Sequence, residues 1–221
     1  MKSALNIPSL KKSAKEFVRG INRRDLPELF GVTDGKAVGT YVEHAFQEHL
    51  RSRYAYEAGS SASGIDFPDL EVDLKVSSMR QPQSSCPFKS ASQKVYGLGY
   101  HLLVLVYDKQ DDPRMKVARL DFKHAIFLDR EHTADFQTTS GLIEILDRKG
   151  NQDDIVAFLE ERNLPLDDIG RGLLANRILK ERPAQGYLTV SNALQWRLQY
   201  GRIVAMAQKG GGEGLENLLV E

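Results

Sequence analysis

An apolar run near the middle of the chain most constrains the fold. Residues 102–107 read LLVLVY. The run is far shorter than the roughly 18 residues of a membrane span, but it has the length of a strand buried in a sheet. A helix predicted over 38–56 and an alternating strand over 71–77 precede it, and a further strand is predicted over 117–128. This order indicates an α/β (α+β) fold with a mixed central β-sheet flanked by helices.

The composition fits a soluble protein with a substantial core. Apolar residues make up 41% of the 221 residues and charged residues 27%, with a mean hydropathy of -0.39. The formal net charge of zero argues against a strongly basic protein that coats nucleic acid, although local positive charge is compatible with DNA binding. The first residues contain no unbroken apolar segment of the signal-peptide kind. Cys86 is the sole cysteine, which excludes an internal disulfide. We therefore expect a cytoplasmic protein.

The helical patterns divide the chain into two regions. Residues 1–140 are predicted to form the core, with an N-terminal helical arm over 8–30 whose basic face is either solvated or contacts phosphates. Residues 141–221 are predicted to form a helical region that mediates dimerisation or DNA binding and packs on the core. Its helices are expected over 153–162, 167–181 and 191–208. A Gly/Ser-rich connection at 59–64 separates the second core helix from the strands.

The stretch SGIDFPDLEVDLKVSS, residues 63–78, carries the candidate chemistry. Residues two apart in a strand point to the same face, so Asp73 and Lys75 project together. Asp66, predicted on a short strand over 65–67 before a turn, can lie beside them. Two converging carboxylates are costly unless a cation neutralises them, and their oxygen atoms suit Mg²⁺. Taken alone, the spacing favours a solvated strand that carries a cross-strand Asp–Lys pair.

The same residues resemble the signature of the PD-(D/E)XK nuclease superfamily. The pattern DFPDLEVDLK is similar to the branch that contains type II restriction endonucleases and the methyl-directed mismatch-repair nicking enzyme. The upstream segment GKAVGTYVE resembles that branch's glycine-containing start of a helix that bears a glutamate, here Glu43. The likeness covers about residues 20–80. It departs from the branch at Asp73, where the branch commonly has glutamate.

The resemblance implies a restriction-endonuclease-like core and a Mg²⁺-dependent DNA endonuclease, in which Mn²⁺ can substitute. Asp66, Asp73 and Glu43 would be the metal ligands, and Lys75 would orient or activate the attacking water. The products would carry 5′-phosphate and 3′-hydroxyl ends. Asp69 and Glu71 remain alternatives as ligands, and the choice between Asp66 and Asp69 as the first ligand stays open.

Recognition of double-stranded DNA needs side chains that read base edges. The loop over 80–93 follows the candidate catalytic strand and contains no acidic residue. Arginine, lysine and glutamine are the residues typical of base contacts. The predicted DNA-binding residues of this loop and of the helix start after it are Arg80, Gln81, Gln83, Lys89, Gln93 and Lys94.

Sequence-specific cleavage of palindromes favours a homodimer. Trp196 and Tyr200 are candidates for a dimer interface. The best interpretation is a type II restriction enzyme. The alternatives are a repair or structure-specific nicking or junction nuclease of the same superfamily, and a non-enzymatic DNA-binding regulator that uses the C-terminal helices.

Overall fold

A computed structural model describes residues 2–59, 64–86, 89–191 and 196–220, with only the backbone described at Trp196. The strands are β1 (Ser3–Ala4), β2 (Tyr54–Ala55), β3 (Val72–Ser78), β4 (Gln83–Cys86), β5 (His101–Asp112), β6 (Val117–Leu128), β7 (Thr189–Val190), β8 (Trp196–Gln199) and β9 (Leu215–Asn217). The α-helices are α1 (Ile7–Ile21), α2 (Gly35–Arg51), α3 (Gln93–Tyr96), α4 (Phe136–Asp147), α5 (Gln152–Glu161), α6 (Asp168–Lys180) and α7 (Gly201–Gln208). Short 3₁₀ helices occur at Pro27–Leu29, Pro68–Leu70 and Arg130–His132.

The central sheet is mixed, as the sequence predicts. Its strand order is β3-β5-β6-β9, with β3 parallel to β5 and the other pairs antiparallel. The apolar run lies in β5, between β3 and β6, and its side chains are buried on both faces. β3 is an edge strand, so one side of its backbone is open to groups from other parts of the chain.

The first face of the central sheet is covered by α1 and α2. Leu74 of β3 and Leu103 of β5 belong to the same buried cluster as Val42 and Phe46 of α2. Asn6 and Asp34 cap the two helices by accepting hydrogen bonds from backbone N–H groups of their first turns. This packing places α2 against β3, which brings the first half of the helix close to the strand.

The second face is covered by a small antiparallel sheet and by α7. The small sheet has the order β4-β8-β7. Leu102 and Val104 of β5 share a buried cluster with Leu198 of β8 and Ile203 of α7. The helices α3 to α6 form a third cluster of their own. The two sheets therefore face each other across the second apolar layer.

The predicted helix over 191–208 is wrong in its first half. Part of that segment is β8, and α7 begins only at Gly201, while residues 192–195 lie outside the described part of the chain. In β8 and just after it, Arg197 and Gln199 are exposed, whereas Leu198 and Tyr200 are buried. This alternation has the period of a strand. The C-terminal region is therefore not purely helical, and β9 joins the central sheet beside β6.

Other predicted elements differ from the structure in their bounds or in their kind, and one coincides with it. The segment 65–67 is not a strand, since only Phe67 forms a bridge, to Val72. The helix predicted over 8–30 ends at Ile21, and the one predicted over 38–56 ends at Arg51. Helix α4 has no counterpart among the predicted helices. The predicted strand over 117–128 coincides with β6. Most of the connection predicted at 59–64 lies outside the described residues.

Tyr200, predicted as a dimer contact, is fully buried within the chain. Its hydroxyl forms a hydrogen bond with the hydroxyl of Ser84 in β4. It therefore holds the small sheet together and is not available to a second copy; the Trp196 side chain lies outside the description. In the described part of the chain, no helix has the length and apolar character needed to cross a membrane.

Candidate active site

Asp73 and Lys75 lie side by side on β3, as the alternation predicts. Lys75 Nζ is 2.7 Å from Asp73 Oδ2, and their side chains are only 21% and 4% exposed. They project from the face opposite Val72 and Leu74, which belong to the core beneath α1 and α2. The strand thus carries an ion pair on one face and apolar side chains on the other.

Asp66 reaches the open edge of β3. After Phe67 bridges to Val72, the 3₁₀ helix Pro68–Leu70 reverses the chain. Asp66 Oδ2 then accepts a hydrogen bond of 2.8 Å from the backbone N–H of Leu74. A strand in the middle of a sheet would give this group to a neighbouring strand, but among the described residues no strand pairs with β3 on this side. The Asp66 carboxyl also lies within hydrogen-bonding distance of the Asp73 carboxyl.

Gly59 fixes the segment that carries Asp66. Its backbone N–H donates a 2.8 Å hydrogen bond to the carbonyl of Asp66. A Cβ at position 59 would lie 1.8 Å from the carbonyl oxygen of Ile65. Only glycine allows this close approach without a shift of the backbone. The position of Asp66 therefore depends on its hydrogen bonds with the backbone of Gly59 and with the backbone of Leu74.

Glu43 joins the same electrostatic environment from α2. Burial raises the pKa of Glu43, the charge of Asp66 raises it further, and Lys75 opposes the rise. Burial also raises the pKa of Asp73 to about 7, with Lys75 acting in the opposite direction and Asp66 adding to the rise. We call Asp66, Asp73, Lys75 and Glu43 the strand-edge cluster. The structure brings Asp66, Asp73 and Lys75 into contact, and Glu43 interacts with Asp66 and Lys75 through their charges.

The ammonium group of Lys75 is held in its charged form. Burial on its own lowers the pKa of Lys75, but Asp73, and then Asp66 and Glu43, raise it above its ordinary value. At neutral pH the side chain is therefore a hydrogen-bond donor with a positive charge. It can orient a water molecule or an anionic oxygen, but it is not a base.

The carboxylates fit Mg²⁺ as a pair. Two adjacent acids, one of them nearly excluded from solvent, repel each other unless a proton or a cation lies between them. Mg²⁺ is commonly held by one or two carboxylates together with water and substrate phosphate. Within residues 2–59, 64–86, 89–191 and 196–220, no three Asp, Glu, His or Cys side chains form a metal-binding group. The predicted ligand set of Asp66, Asp73 and Glu43 is therefore not assembled as a three-ligand site.

The alternative acids lie elsewhere. Asp69 is exposed in the 3₁₀ helix and contributes to a separate cavity of about 240 Å³ beside Ala4 and Tyr56. Glu71 forms an exposed ion pair of 2.6 Å with Arg130. Of the acids between residues 66 and 71, only Asp66 contacts Asp73 through its side chain in the described structure. The geometry thus favours Asp66 over Asp69 as the partner of Asp73.

The predicted DNA-binding residues separate into two groups. Arg80, Gln81 and Lys89 are exposed, and Gln83 is half-buried at the start of β4, while Pro87 and Phe88 lie outside the description. The remaining two, Gln93 and Lys94, are buried, at 7% and 2% exposure.

Gln93 and Lys94 belong to the interior. Gln93 Oε1 accepts hydrogen bonds from the backbone N–H groups of Lys89 and Ser90. Burial lowers the pKa of Lys94, against the opposing charge of Asp135. The expectation that these two side chains face DNA is corrected, because each is packed inside the protein.

Ser77 was not singled out from the sequence, although alternation places it on the same face as Asp73 and Lys75. Its hydroxyl accepts a 2.9 Å hydrogen bond from the N–H of Gln83 and lies 3.1 Å from the carbonyl of the same residue. Ser77 thereby attaches the small sheet to the strand that bears the strand-edge cluster. A serine on a strand gives little indication of such a partner.

Comparisons with known proteins identify the family of the chain. The family described as "Type II restriction enzyme NspV" matches residues 4–217. A protein of Nostoc sp. named "Type II restriction enzyme NspV" is 53% identical over 208 residues, which cover 94% of each chain. No solved structure matches. The chain therefore belongs to the NspV family of type II restriction enzymes, and it is a site-specific deoxyribonuclease.

Proposed function

We propose that this restriction enzyme hydrolyses phosphodiesters of double-stranded DNA at the strand-edge cluster, with Mg²⁺ as cofactor and Mn²⁺ as a substitute. The products carry 5′-phosphate and 3′-hydroxyl ends. The observation that supports this proposal is the contact between Asp66, Asp73 and Lys75 at the open edge of β3. A scissile phosphate can reach an edge strand more easily than a strand covered on both sides.

Asp66 and Asp73 would hold the cation, which polarises a phosphate oxygen and lowers the pKa of a bound water. Lys75, kept protonated by Asp73, donates hydrogen bonds to the attacking water and stabilises negative charge on the phosphate. Glu43 is more basic than an ordinary glutamate because burial raises its pKa. We assign to Glu43 the assisting role of accepting a proton at the rim of the site.

Family membership decides among the alternatives drawn from the sequence. A non-enzymatic DNA-binding regulator is wrong, because the chain belongs to a family of restriction enzymes. The same finding favours a restriction endonuclease over a repair or junction nuclease. We further propose that the enzyme acts in the cytoplasm as a homodimer, since a two-fold dimer presents the same reading surface to both halves of a palindrome. Sedimentation of the enzyme with and without DNA tests the dimer.

Digestion of a sequenced phage genome tests the proposed chemistry. We expect discrete fragments with Mg²⁺ or Mn²⁺ and intact DNA with EDTA. The fragments should be joined by DNA ligase without prior phosphorylation, because their 5′ ends carry phosphate. Fragments that form in EDTA, or that need end repair before ligation, would contradict the proposal.

A matched pair of variants tests the site. Asp73→Ala should abolish cleavage while DNA binding in Ca²⁺ survives. Asp121→Ala removes an exposed aspartate that pairs with Lys123 on β6, and it should cleave normally. Full activity in Asp73→Ala would refute the assignment of the strand-edge cluster.

A further inference from the structure

Two long segments of the chain contain no acidic residue. Neither 74–107 nor 182–212 has an aspartate or glutamate, although 30 of the 221 residues are acidic. The charged residues within these segments are all basic. The segments are far apart in sequence, and the fold pairs them directly, since the first contains β4 and the second contains β7 and β8.

The small sheet has two different faces. Cys86 and Leu198 point inward, toward the second apolar layer. Gln83 lies directly opposite Gln199, and Ser85 lies directly opposite Arg197, so these four side chains share the other face. Ser85, Arg197 and Gln199 are exposed and Gln83 is half-buried. We call Gln83, Ser85, Arg197 and Gln199 the outer face of the small sheet.

This outer face is attached to the candidate active site. The Ser77 hydroxyl binds the backbone of Gln83, and Ser77 is two residues beyond Lys75 on β3. Two residues of a strand span about 6.6 Å. At the same end of the small sheet, the N–H of Tyr200 donates a 2.7 Å hydrogen bond to the carbonyl of Pro82. A duplex bound at the strand-edge cluster would therefore meet the small sheet.

The chemistry of the outer face matches base edges. Glutamine can bind adenine through two hydrogen bonds, and arginine can bind guanine in the same way. The major groove is about 12 Å wide and admits a β-ribbon. Arg197 and Gln199 are about 6.6 Å apart along β8, which corresponds to about two base-pair steps of 3.4 Å. The outer face has amide, hydroxyl and arginine side chains but no apolar or acidic ones. A surface that binds a protein usually has an apolar centre, so this composition fits DNA better than a protein partner.

We propose that the outer face of the small sheet enters the major groove and reads bases of the recognition site, with Gln83, Arg197 and Gln199 as specificity-determining residues. This inference rests on the proposed function only in placing the scissile phosphate beside β3. Arg80 and Lys89, exposed before and after β4, would contact the flanking phosphates.

The test compares binding of two duplexes by the full chain. The mapped ends of phage fragments define the recognition site, and a short duplex with that site is then compared with a scrambled duplex in Ca²⁺. Loss of a bidentate hydrogen-bonded contact to a base is expected to lower the preference for the site by roughly 5- to 150-fold. We expect this loss in Gln199→Ala and in Arg197→Lys. Arg197→Lys keeps the positive charge but loses the planar pair of donors, so binding to the scrambled duplex should change less than twofold.

Matched substitutions serve as controls. Gln110→Ala removes an exposed glutamine at the far end of β5, and Arg148→Lys alters an exposed arginine after α4. Both should keep the preference of the unsubstituted enzyme. Equal melting temperatures would show that the substituted chains remain folded.

Two outcomes would overturn the proposal that the outer face of the small sheet reads bases. One is an unchanged preference in both Gln199→Ala and Arg197→Lys. The other is an equal loss on both duplexes, which would indicate contact with phosphates alone. The catalytic proposal would fail separately. Cleavage by Asp73→Ala would refute the role of the strand-edge cluster, but it would not affect the expected loss of site preference in Gln199→Ala and Arg197→Lys.

Discussion

The two faces of β3 differ in what they contribute. On one face, Val72 and Leu74 are buried beneath α1 and α2 in the largest apolar cluster. On the other, Asp73 is buried and Lys75 is partly exposed, and the two form an ion pair. Burial of apolar surface stabilises the fold, whereas removal of two charges from water costs free energy that their mutual attraction offsets only in part. The polar face therefore costs the fold stability, which is consistent with the catalytic role proposed for Asp73 and Lys75.

The largest contrast should appear in Lys75→Ala. Loss of the ammonium group removes the donor that orients water and stabilises the phosphate, so we expect cleavage to slow by about 10³-fold or more. Single-turnover cleavage of a site-containing duplex measures this. Lys123→Ala, which removes an exposed lysine paired with Asp121, is the control and should cut at the normal rate. A normal rate in Lys75→Ala would show that the polar face has no catalytic role.

A substitution on the apolar face of β3 should lower the stability of the fold. Leu74 is 1% exposed, and Leu74→Ala is expected to lower the free energy of unfolding by about 2–5 kcal/mol. Urea unfolding measures this loss. Leu179→Ala truncates a leucine on α6 that is 43% exposed, and it should cost well under about 1 kcal/mol. If both variants lost the same stability, the apolar face of β3 would not have the importance that its burial implies.

A smaller effect should appear in the pH dependence of stability, to which the polar face of β3 contributes through Asp73. The folded pKa of Asp73, about 7, lies above its ordinary value of 3.8. Between these values the folded chain binds more protons at this site than the unfolded chain, so rising pH lowers the free energy of unfolding, and the full cost is present above pH 7. Asp73→Asn should remove this dependence, so the stability of the variant relative to the unsubstituted protein should rise as the pH increases from 4 to 8 in EDTA.

Thermal melting from pH 4 to pH 8 in EDTA measures this difference. At pH 8, Mg²⁺ should raise the melting temperature of the unsubstituted protein but not that of Asp73→Asn, because a ligand stabilises only the state that binds it. A constant difference between the two proteins across the pH range would contradict the proposed cost of Asp73.

The same contrast explains how far the sequence predicts the molecule. The alternation in β3, the apolar run in β5 and the bounds of β6 follow from local periodicity. The residues of the strand-edge cluster were predicted from the resemblance of DFPDLEVDLK and GKAVGTYVE to a family signature, because their spacing alone is not specific. Periodicity also misleads, since it predicts a helix over 191–208, a segment that contains β8. The pairing of β4 with β8 depends on residues more than a hundred positions apart, which no local pattern encodes.

The burial of polar residues in α3 also could not be predicted from the sequence. Gln93 and Lys94 have the composition of a DNA-contacting segment, but they are packed inside the protein. Their burial depends on partners such as Asp135, which lies at the start of α4, a helix absent from the prediction. Polar residues can be placed only when the elements that surround them are known.

The smallest effect tests whether the polar face of β3 also positions the small sheet. Ser77→Ala removes the hydroxyl that binds the backbone of Gln83, so we expect a loss of about 0.5–1.5 kcal/mol in the free energy of unfolding. The neighbouring Ser78 points to the other side of the strand and accepts a 3.3 Å hydrogen bond from the N–H of Arg80, next to it in the turn. Ser78→Ala is therefore the matched control, and it should lose less.

The binding preference distinguishes positioning from mere stability. If Ser77 holds the outer face of the small sheet against the duplex, Ser77→Ala should lower the preference for the site-containing duplex severalfold under conditions where the chain is fully folded. Ser78→Ala should not. If Ser77→Ala loses stability and keeps its preference, the hydroxyl supports only the fold, and the two sheets must be held in register by the apolar layer that they share, which includes Leu102, Val104 and Leu198. Because Ser77 lies between Lys75 and β4, equal losses of preference and of cleavage rate would show that one face of β3 couples base recognition to cleavage, whereas a loss of preference alone would limit Ser77 to positioning the small sheet.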